Sequence, residues 1–263
     1  MKVLFISSSS GSRGGGELYL LFLGDALTKL GVEVGLWCSS NERMDELAAA
    51  FSKIGSVYRS DYRNTYDYKI RSLRHFFFKH VEGIERAVKD FSPDVIHLNK
   101  QNLEDGLDLL STLDVISIPY LTTIHITQTQ KSLGAALGKI RDRVARNFIQ
   151  RAKSSEWIAI STNRAQDLRN FLGDKQHNVI MIPNGVKIEE EIPEEGAYQL
   201  RAKFGLEKSH LAVITVGRLE SQKNPFRFVE WAAVCAQKNQ NIRFFWIGDG
   251  GMRHSPSKRR LIN

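Results

Sequence analysis

The sequence predicts an α/β protein: a parallel sheet covered by helices on both faces, then a shorter unit of the same kind. Three observations predict it. Short β-branched runs alternate with longer segments of helical periodicity. The runs are mostly continuous rather than alternating, as expected of strands buried on both faces. The chain has 263 residues, 42% hydrophobic and 25% charged. Those values fit a globular chain and exclude disordered, collagen-like and coiled-coil classes.

Lys2–Ser7 (KVLFIS) reads as the first strand. Glu17–Leu30 repeats Leu20, Leu23, Leu27 and Leu30 at helical spacing, and Gly31 ends it. Val32–Cys38 is a strand, Arg43–Ile54 a helix and Ser56–Arg59 a weak third strand. Tyr68–Phe91 reads as one long helix stopped by Ser92-Pro93. Asp94–Leu98 is a buried strand, Leu103–Leu113 a helix, Pro119–His125 a strand and Gly134–Lys153 a basic helix. Strands Glu156–Ser161 and Asn178–Ile182 flank a helix at Arg164–Phe171. Pro183-Asn184-Gly185 is a turn, and the charged stretch Lys187–Gly196 reads as a linker. The pattern restarts with helix Tyr198–Phe204, strand Leu211–Val216, helix Pro225–Lys238 and strand Ile242–Ile247. Two clear strands make a poor sheet, so the second unit is expected to be incomplete.

Thirty-seven Lys+Arg against twenty-nine Asp+Glu give a net charge of +8, which favours anionic partners. Much of the excess sits in two stretches. Arg59–His80 carries six Lys/Arg against Asp61 and Asp67, interrupted by Phe76-Phe77-Phe78; Lys139–Lys153 carries six against Asp142. Basic residues beside exposed aromatics suit an anionic membrane leaflet. Core phenylalanines beneath a solvated charged face are the plainer alternative. Nucleic acid is not expected, because neither a helix-turn-helix nor an RNP-type aromatic motif is present. Cys38 and Cys235 lie in no metal or redox spacing and read as free buried thiols in a reducing compartment. The apolar start is too short for a signal-peptide core, and no run approaches a membrane span. A cytoplasmic protein, peripheral on the inner membrane face, is the expectation.

Three junctions carry candidate chemistry. Ser7–Glu17 joins a strand to a helix through Gly11, Gly14, Gly15 and Gly16. Small residues admit a ligand to the backbone, and the helix N-terminus offers unpaired N–H groups to a phosphate or sugar oxygen. The spacing is not G-x-G-x-x-G and no Walker lysine follows, which excludes a dinucleotide fingerprint and a P-loop. A plain flexible turn is the alternative. His125 ends a strand, where α/β sheets collect ligands. A neutral imidazole there is expected to donate to a sugar hydroxyl or phosphate oxygen, or simply to be a satisfied polar group. His97 lies inside its strand and reads as a core or supporting residue. Arg218 and Lys223 share a strand-to-helix loop behind Gly217, with Pro225 at the helix start. They can converge on one diphosphate.

Taken in order, GGGE at Gly14–Glu17, DVIHLN at Asp94–Asn99, TTIH at Thr122–His125, IAIS at Ile158–Ser161, IPNGV at Ile182–Val186, VGRLESQKN at Val216–Asn224 and IGDGGMR at Ile247–Arg253 resemble the retaining nucleotide-sugar glycosyltransferases of family 4. The resemblance runs over Lys2–Arg253. It implies the GT-B arrangement of two Rossmann-like domains: an acceptor-side domain at 1–186, a linker and connecting helix at 187–205, and a partial donor-binding domain at 206–263. It implies that Gly15 and Gly16 approach donor phosphate, that His125 lies beside the transferred sugar, and that Arg218 and Lys223 hold the diphosphate and offset its charge as it leaves. Glu17, His97 and Asn184 fall on acceptor-side or supporting positions. No metal and no cofactor is implied; the nucleotide-diphosphate sugar is the substrate, and a glycan or lipid-linked molecule accepts the sugar.

The family's E-x7-E element has no counterpart after Arg253, so the donor half is expected to be truncated. A non-catalytic fragment that binds an acceptor or partner chain is therefore the second reading. A nucleotide-sugar epimerase of the same fold is the third. It would need carboxylates facing the sugar from both domains, which the sequence does not show.

Overall fold

The computed structural model describes residues 1–11, 14–64, 81–173, 178–186, 194–220 and 223–250. The chain forms two compact units, Met1–Ile188 and Glu189–Asn263.

The first unit is a seven-stranded sheet in which every neighbouring pair is parallel, as in Rossmann-like α/β folds. Its strands are β1 (Lys2–Ser7), β2 (Glu33–Ser39), β3 (Ser56–Ser60), β4 (Val95–Asn102), β5 (Tyr120–Ile126), β6 (Trp157–Ala159) and β7 (Val179–Met181). They lie in the order β3-β2-β1-β4-β5-β6-β7. The helices are α1 (Gly15–Lys29), α2 (Asp45–Phe51), α3 (Ile84–Phe91), α4 (Leu107–Leu113), α5 (Gly138–Arg151) and α6 (Thr162–Leu172).

Successive strand residues point to opposite faces, and this divides the core in two. Val3 and Phe5 of β1 pack with Leu36 of β2, Leu20 of α1 and Phe51 of α2. Leu4 and Ile6 pack on the other face with Trp37, Ile96, Phe91 of α3 and Leu110 of α4. Both faces of the central strands are thus apolar, which is why their sequence runs are continuous.

Glycines and caps set several ends. Leu30 closes α1, followed by Gly31 at φ +77°. Ser161 caps α6 by accepting from Arg164 N, so it belongs to the cap and not to β6. α3 begins only at Ile84, because Gly83 is left-handed at φ +89°. The expected long helix from Tyr68 therefore does not reach Phe91 unbroken, and its start, with Phe76–Phe78, lies outside the described residues. Gly106 at φ +58° delays α4 to Leu107, and Leu137 at φ +56° delays α5 to Gly138. The expected helix Arg43–Ile54 is a 3₁₀ turn at Glu42–Met44 followed by α2.

The second unit contains α7 (Glu194–Lys203), β8 (Leu211–Val216), α8 (Pro225–Lys238) and β9 (Ile242–Ile247). β8 and β9 pair in parallel. α7 occupies part of the stretch expected as linker. Cys38 is buried, and burial pushes its thiol up to about 11. Cys235 is exposed, against expectation, because α8 in its two-stranded unit leaves that side uncovered. Among the described residues no helix is long and apolar enough to cross a membrane.

Candidate active site

The carboxyl ends of β1, β4 and β5 meet the N-terminus of α1 in a polar layer. β4 supplies its centre. His97, Asn99 and Gln101 alternate along the strand and share the face that α1 covers. His97 Nε2 lies 2.8 Å from Thr123 Oγ1 on β5. Asn99 Nδ2 donates to the Gly16 carbonyl at 2.9 Å, and its Oδ1 lies 2.7 Å from His125 Nε2. Gln101 Nε2 donates to Glu17 Oε1 at 3.1 Å. Tyr19 sets its ring edge-on against both His125, at 5.1 Å, and His97, at 6.0 Å. Ser8 N donates to the Asn99 carbonyl at 3.0 Å, which carries the loop after β1 over the same end of the sheet.

A second polar layer lies on the opposite face and holds the first in place. Asp105 accepts from Gln101 N and Asn102 N, both at 3.0 Å, and from the Ser8 hydroxyl. Asn64 N donates to Ser10 Oγ at 2.8 Å, adding a strut to the loop after β1. Lys100, fully buried, bonds the Asp105 carbonyl oxygen. Burial lowers the Lys100 pKa, and Asp105, Asp108 and Glu104 oppose that shift. Arg141 of α5 grips Glu104 through two bonds, one of 2.7 Å. The backbone that leaves β4 is therefore fixed at several points.

The electrostatics of the front layer follow from burial. Desolvation lowers His97 to about 3, with the neighbouring His125 adding to the effect. Desolvation lowers His125 to about 4, opposed by Asp105. Both rings are neutral at physiological pH. Burial raises the Glu17 carboxyl, the Ser9 hydroxyl partly offsets this, and Glu17 Oε2 is buried without a hydrogen-bond partner.

The structure brings Gly16, Glu17, His97 and His125 together and separates the two glycines in role. A side chain on Gly15 would meet nothing within 4 Å, so its backbone is open. A Cβ on Gly16 would lie 2.2 Å from Gln101 Oε1, so that glycine makes room for Gln101. Glu17 in the first turn suits the helix dipole and also counters an anion placed there. His125 Nε2 faces Asn99, so the ring's remaining nitrogen is the one left for a ligand. Asn184 lies exposed beyond β7, two strands away from β5, and is not brought to His125.

In the second unit Arg218 is exposed and pairs with Glu220 at 3.1 Å. The Lys223 side chain runs over Gly217, whose added Cβ would touch Lys223 Cγ at 3.4 Å. Gly248 at φ +140° lets the end of β9 pass against the Gly217 carbonyl. The basic stretch on α5 is partly spent: Arg141 serves Glu104, and Arg146 sits over the Phe171 ring at 5.0 Å. Arg146, Lys131, Lys139 and Arg143 line a cavity of about 270 Å³ beside Thr129 and Asp142. Most of the Arg59–His80 stretch lies outside the described residues.

Asp105, Lys100 and the Asn99–His125 bond escape a reading by motif. A signal was present: Asn99-Lys100-Gln101-Asn102 continues an apolar strand into four polar residues without glycine or proline.

The sequence profile of Glycosyltransferase Family 4 matches residues 13–190. The chain belongs to that family. It is 22% identical to the D-inositol 3-phosphate glycosyltransferase of Pseudarthrobacter chlorophenolicus, over 96% of this chain and 61% of that protein. The chain thus spans about three fifths of that relative's length. Among solved structures it resembles the Anabaena protein HepE in complex with UDP-glucose, with a TM-score of 0.66, 19% identity, and coverage of 100% of this chain and 65% of that one. It also resembles a glycosyltransferase from Rickettsia africae, with a TM-score of 0.61, 15% identity, and coverage of 99% and 63%. These likenesses agree with a Rossmann-like fold of GT-B type.

Proposed function

We propose that this chain moves a sugar from a nucleotide-diphosphate sugar to a glycan or lipid-linked acceptor, with retention of configuration and without a metal. The observation that carries the reading is the polar layer at the ends of β1, β4 and β5, built around a neutral His125, in a chain of Glycosyltransferase Family 4. The relative that acts on an inositol phosphate and the neighbour that holds UDP-glucose support a uridine-type donor and a hydroxyl acceptor.

In this reading a sugar hydroxyl donates to His125. The acceptor hydroxyl attacks the anomeric carbon on the face from which the diphosphate departs. The bond from that carbon to the phosphate oxygen breaks as the new glycosidic bond forms, and the hydroxyl proton passes to the departing phosphate. No protein nucleophile is required. The open backbone at Gly15 and the cations Arg218 and Lys223 address the phosphates, where developing charge is greatest. Surface-polysaccharide synthesis at the cytoplasmic membrane face fits the basic stretches.

The test is to incubate the purified chain with UDP- and GDP-sugars and a panel of glycan and lipid-linked acceptors, and to read product and anomeric configuration by NMR. Retained product is expected. Inverted product contradicts the stereochemistry. Donor binding with no turnover on any acceptor favours the acceptor- or partner-binding reading.

A further inference from the structure

The Asn99 amide has only one orientation compatible with its partners. The Gly16 carbonyl can only accept, so the Asn99 NH₂ group must face it, at 2.9 Å. The Asn99 carbonyl oxygen then faces His125 Nε2 at 2.7 Å, and it can only accept as well. Nε2 must therefore carry the hydrogen. In a neutral imidazole this leaves Nδ1 with the lone pair. Asn99 is fully buried, so no water competes for either bond. Nδ1 has no hydrogen-bond partner among the described residues.

We propose that Asn99 is a positioning residue that holds His125 as its Nε2–H tautomer and so presents Nδ1 as an acceptor. The consequence is selective. Such a nitrogen takes a hydrogen bond from a hydroxyl and repels a phosphate oxygen. His125 then reads the sugar and not the diphosphate, a reversal of the donor role its position alone suggests. Asn99 also ties the Gly16 carbonyl of α1 to the same ring, so one side chain couples the helix N-terminus, β4 and β5.

The surroundings keep the ring neutral. The groups that face it are the amide of Asn99 on β4, the neutral His97 on β4 and the Tyr19 ring on α1. Asp105 is the carboxylate that favours its protonated form, and burial outweighs it. A carboxylate in place of the amide would accept the same Nε2–H bond while stabilising the imidazolium.

The tautomer part stands without the transferase reading; the effect on transfer rests on it. The test is long-range ¹H–¹⁵N correlation of ¹⁵N-histidine-labelled protein, with His125 assigned by its loss in His125→Asn. The wild-type ring should be the neutral Nε2–H tautomer from about pH 5 upward. Asn99→Asp should raise its titration midpoint by about one to three pH units, as an opposite charge at this range does. Asn99→Ala should give a mixture of tautomers. Gln101→Ala, which disturbs the same layer without touching His125, should leave the tautomer as it is.

An Nδ1–H tautomer in the wild type overturns the proposal, whether or not any variant folds. So does an unchanged midpoint in a folded Asn99→Asp protein. In a transfer assay the acid limb of Asn99→Asp should move to higher pH with the midpoint. If the tautomer is as expected and His125→Asn still transfers sugar normally, the assignment of the site fails and the role of Asn99 stands.

Discussion

The two units speak the same βαβ language with opposite results. In the first unit Leu4, Phe5, Ile6, Leu36 and Ile96 are fully buried, because every central strand has paired neighbours and a helix on each face. In the second, β9 is the one partner of β8 among the described residues, and the residues of β8 stay open: Leu211 is 59% exposed, Ile214 48% and Val216 73%. Trp231 of α8 is 62% exposed. The local signals for strand and helix are equally strong in both, so they fix an element's type and not its burial. Burial comes from the number of neighbours.

Hydrogen exchange should break this comparison most sharply. Amides of β4 and β5 should exchange only through global unfolding, whereas β8 and β9 should exchange at least about a thousandfold faster. Equal protection in the two sheets would mean that the second unit is covered in solution.

Core truncation is the next largest effect. Phe5→Ala should cost about 3–5 kcal/mol, and Val213→Ala, on a 40% exposed side chain, less than about 1 kcal/mol. Denaturant midpoints of the two variants check this. A comparable loss at both positions would contradict the contrast.

The buried histidines sharpen the comparison through pH. His97 and His125 have folded values of about 3 and about 4, below the unfolded value of 6.5, so the unfolded chain binds more protons in between. Their contribution is fully present above 6.5 and is lost as the pH falls toward 4 and 3. At pH 5 each should cost the first unit roughly 2 kcal/mol. Unfolding at pH 7 and pH 5 should show a larger drop in wild type than in His97→Gln, with little change in the exchange rates of β8 and β9.

The smallest effect separates the two glycines. Gly16→Ala must displace Gln101 and should cost about 1–3 kcal/mol, while Gly15→Ala, with open space around it, should be neutral or slightly stabilising. Thermal melts of both variants read the difference.

The parallel sheet and most elements were legible in the sequence because the apolar runs are long and their breaks carry glycine, proline or serine; the strand order was not. β8, α8 and β9 match their expected bounds residue for residue. The misses have two causes. β4 extends four residues past Leu98 because Asn99, Lys100, Gln101 and Asn102 find partners on α1, β5 and the Asp105 turn, and single-chain periodicity cannot register those partners. α4 and α5 start late because left-handed residues at Gly106 and Leu137 turn the chain first. For the site, strand-end position pointed to His125 and to the glycine loop separately, and the structure joins them through Asn99. Which nitrogen of His125 is spent on Asn99 depends on a bond between residues 26 apart, and no local pattern contains it.

In the proposed function a nucleotide sugar is read at the layer joining β1, β4 and β5 by the free nitrogen of His125. Titrating ¹⁵N-histidine-labelled protein with UDP-glucose tests it most directly. Saturable movement of the His125 Nδ1 resonance, with the Nε2–H tautomer retained, is the predicted result. Saturable binding of UDP-glucose that leaves His125 unmoved would contradict it.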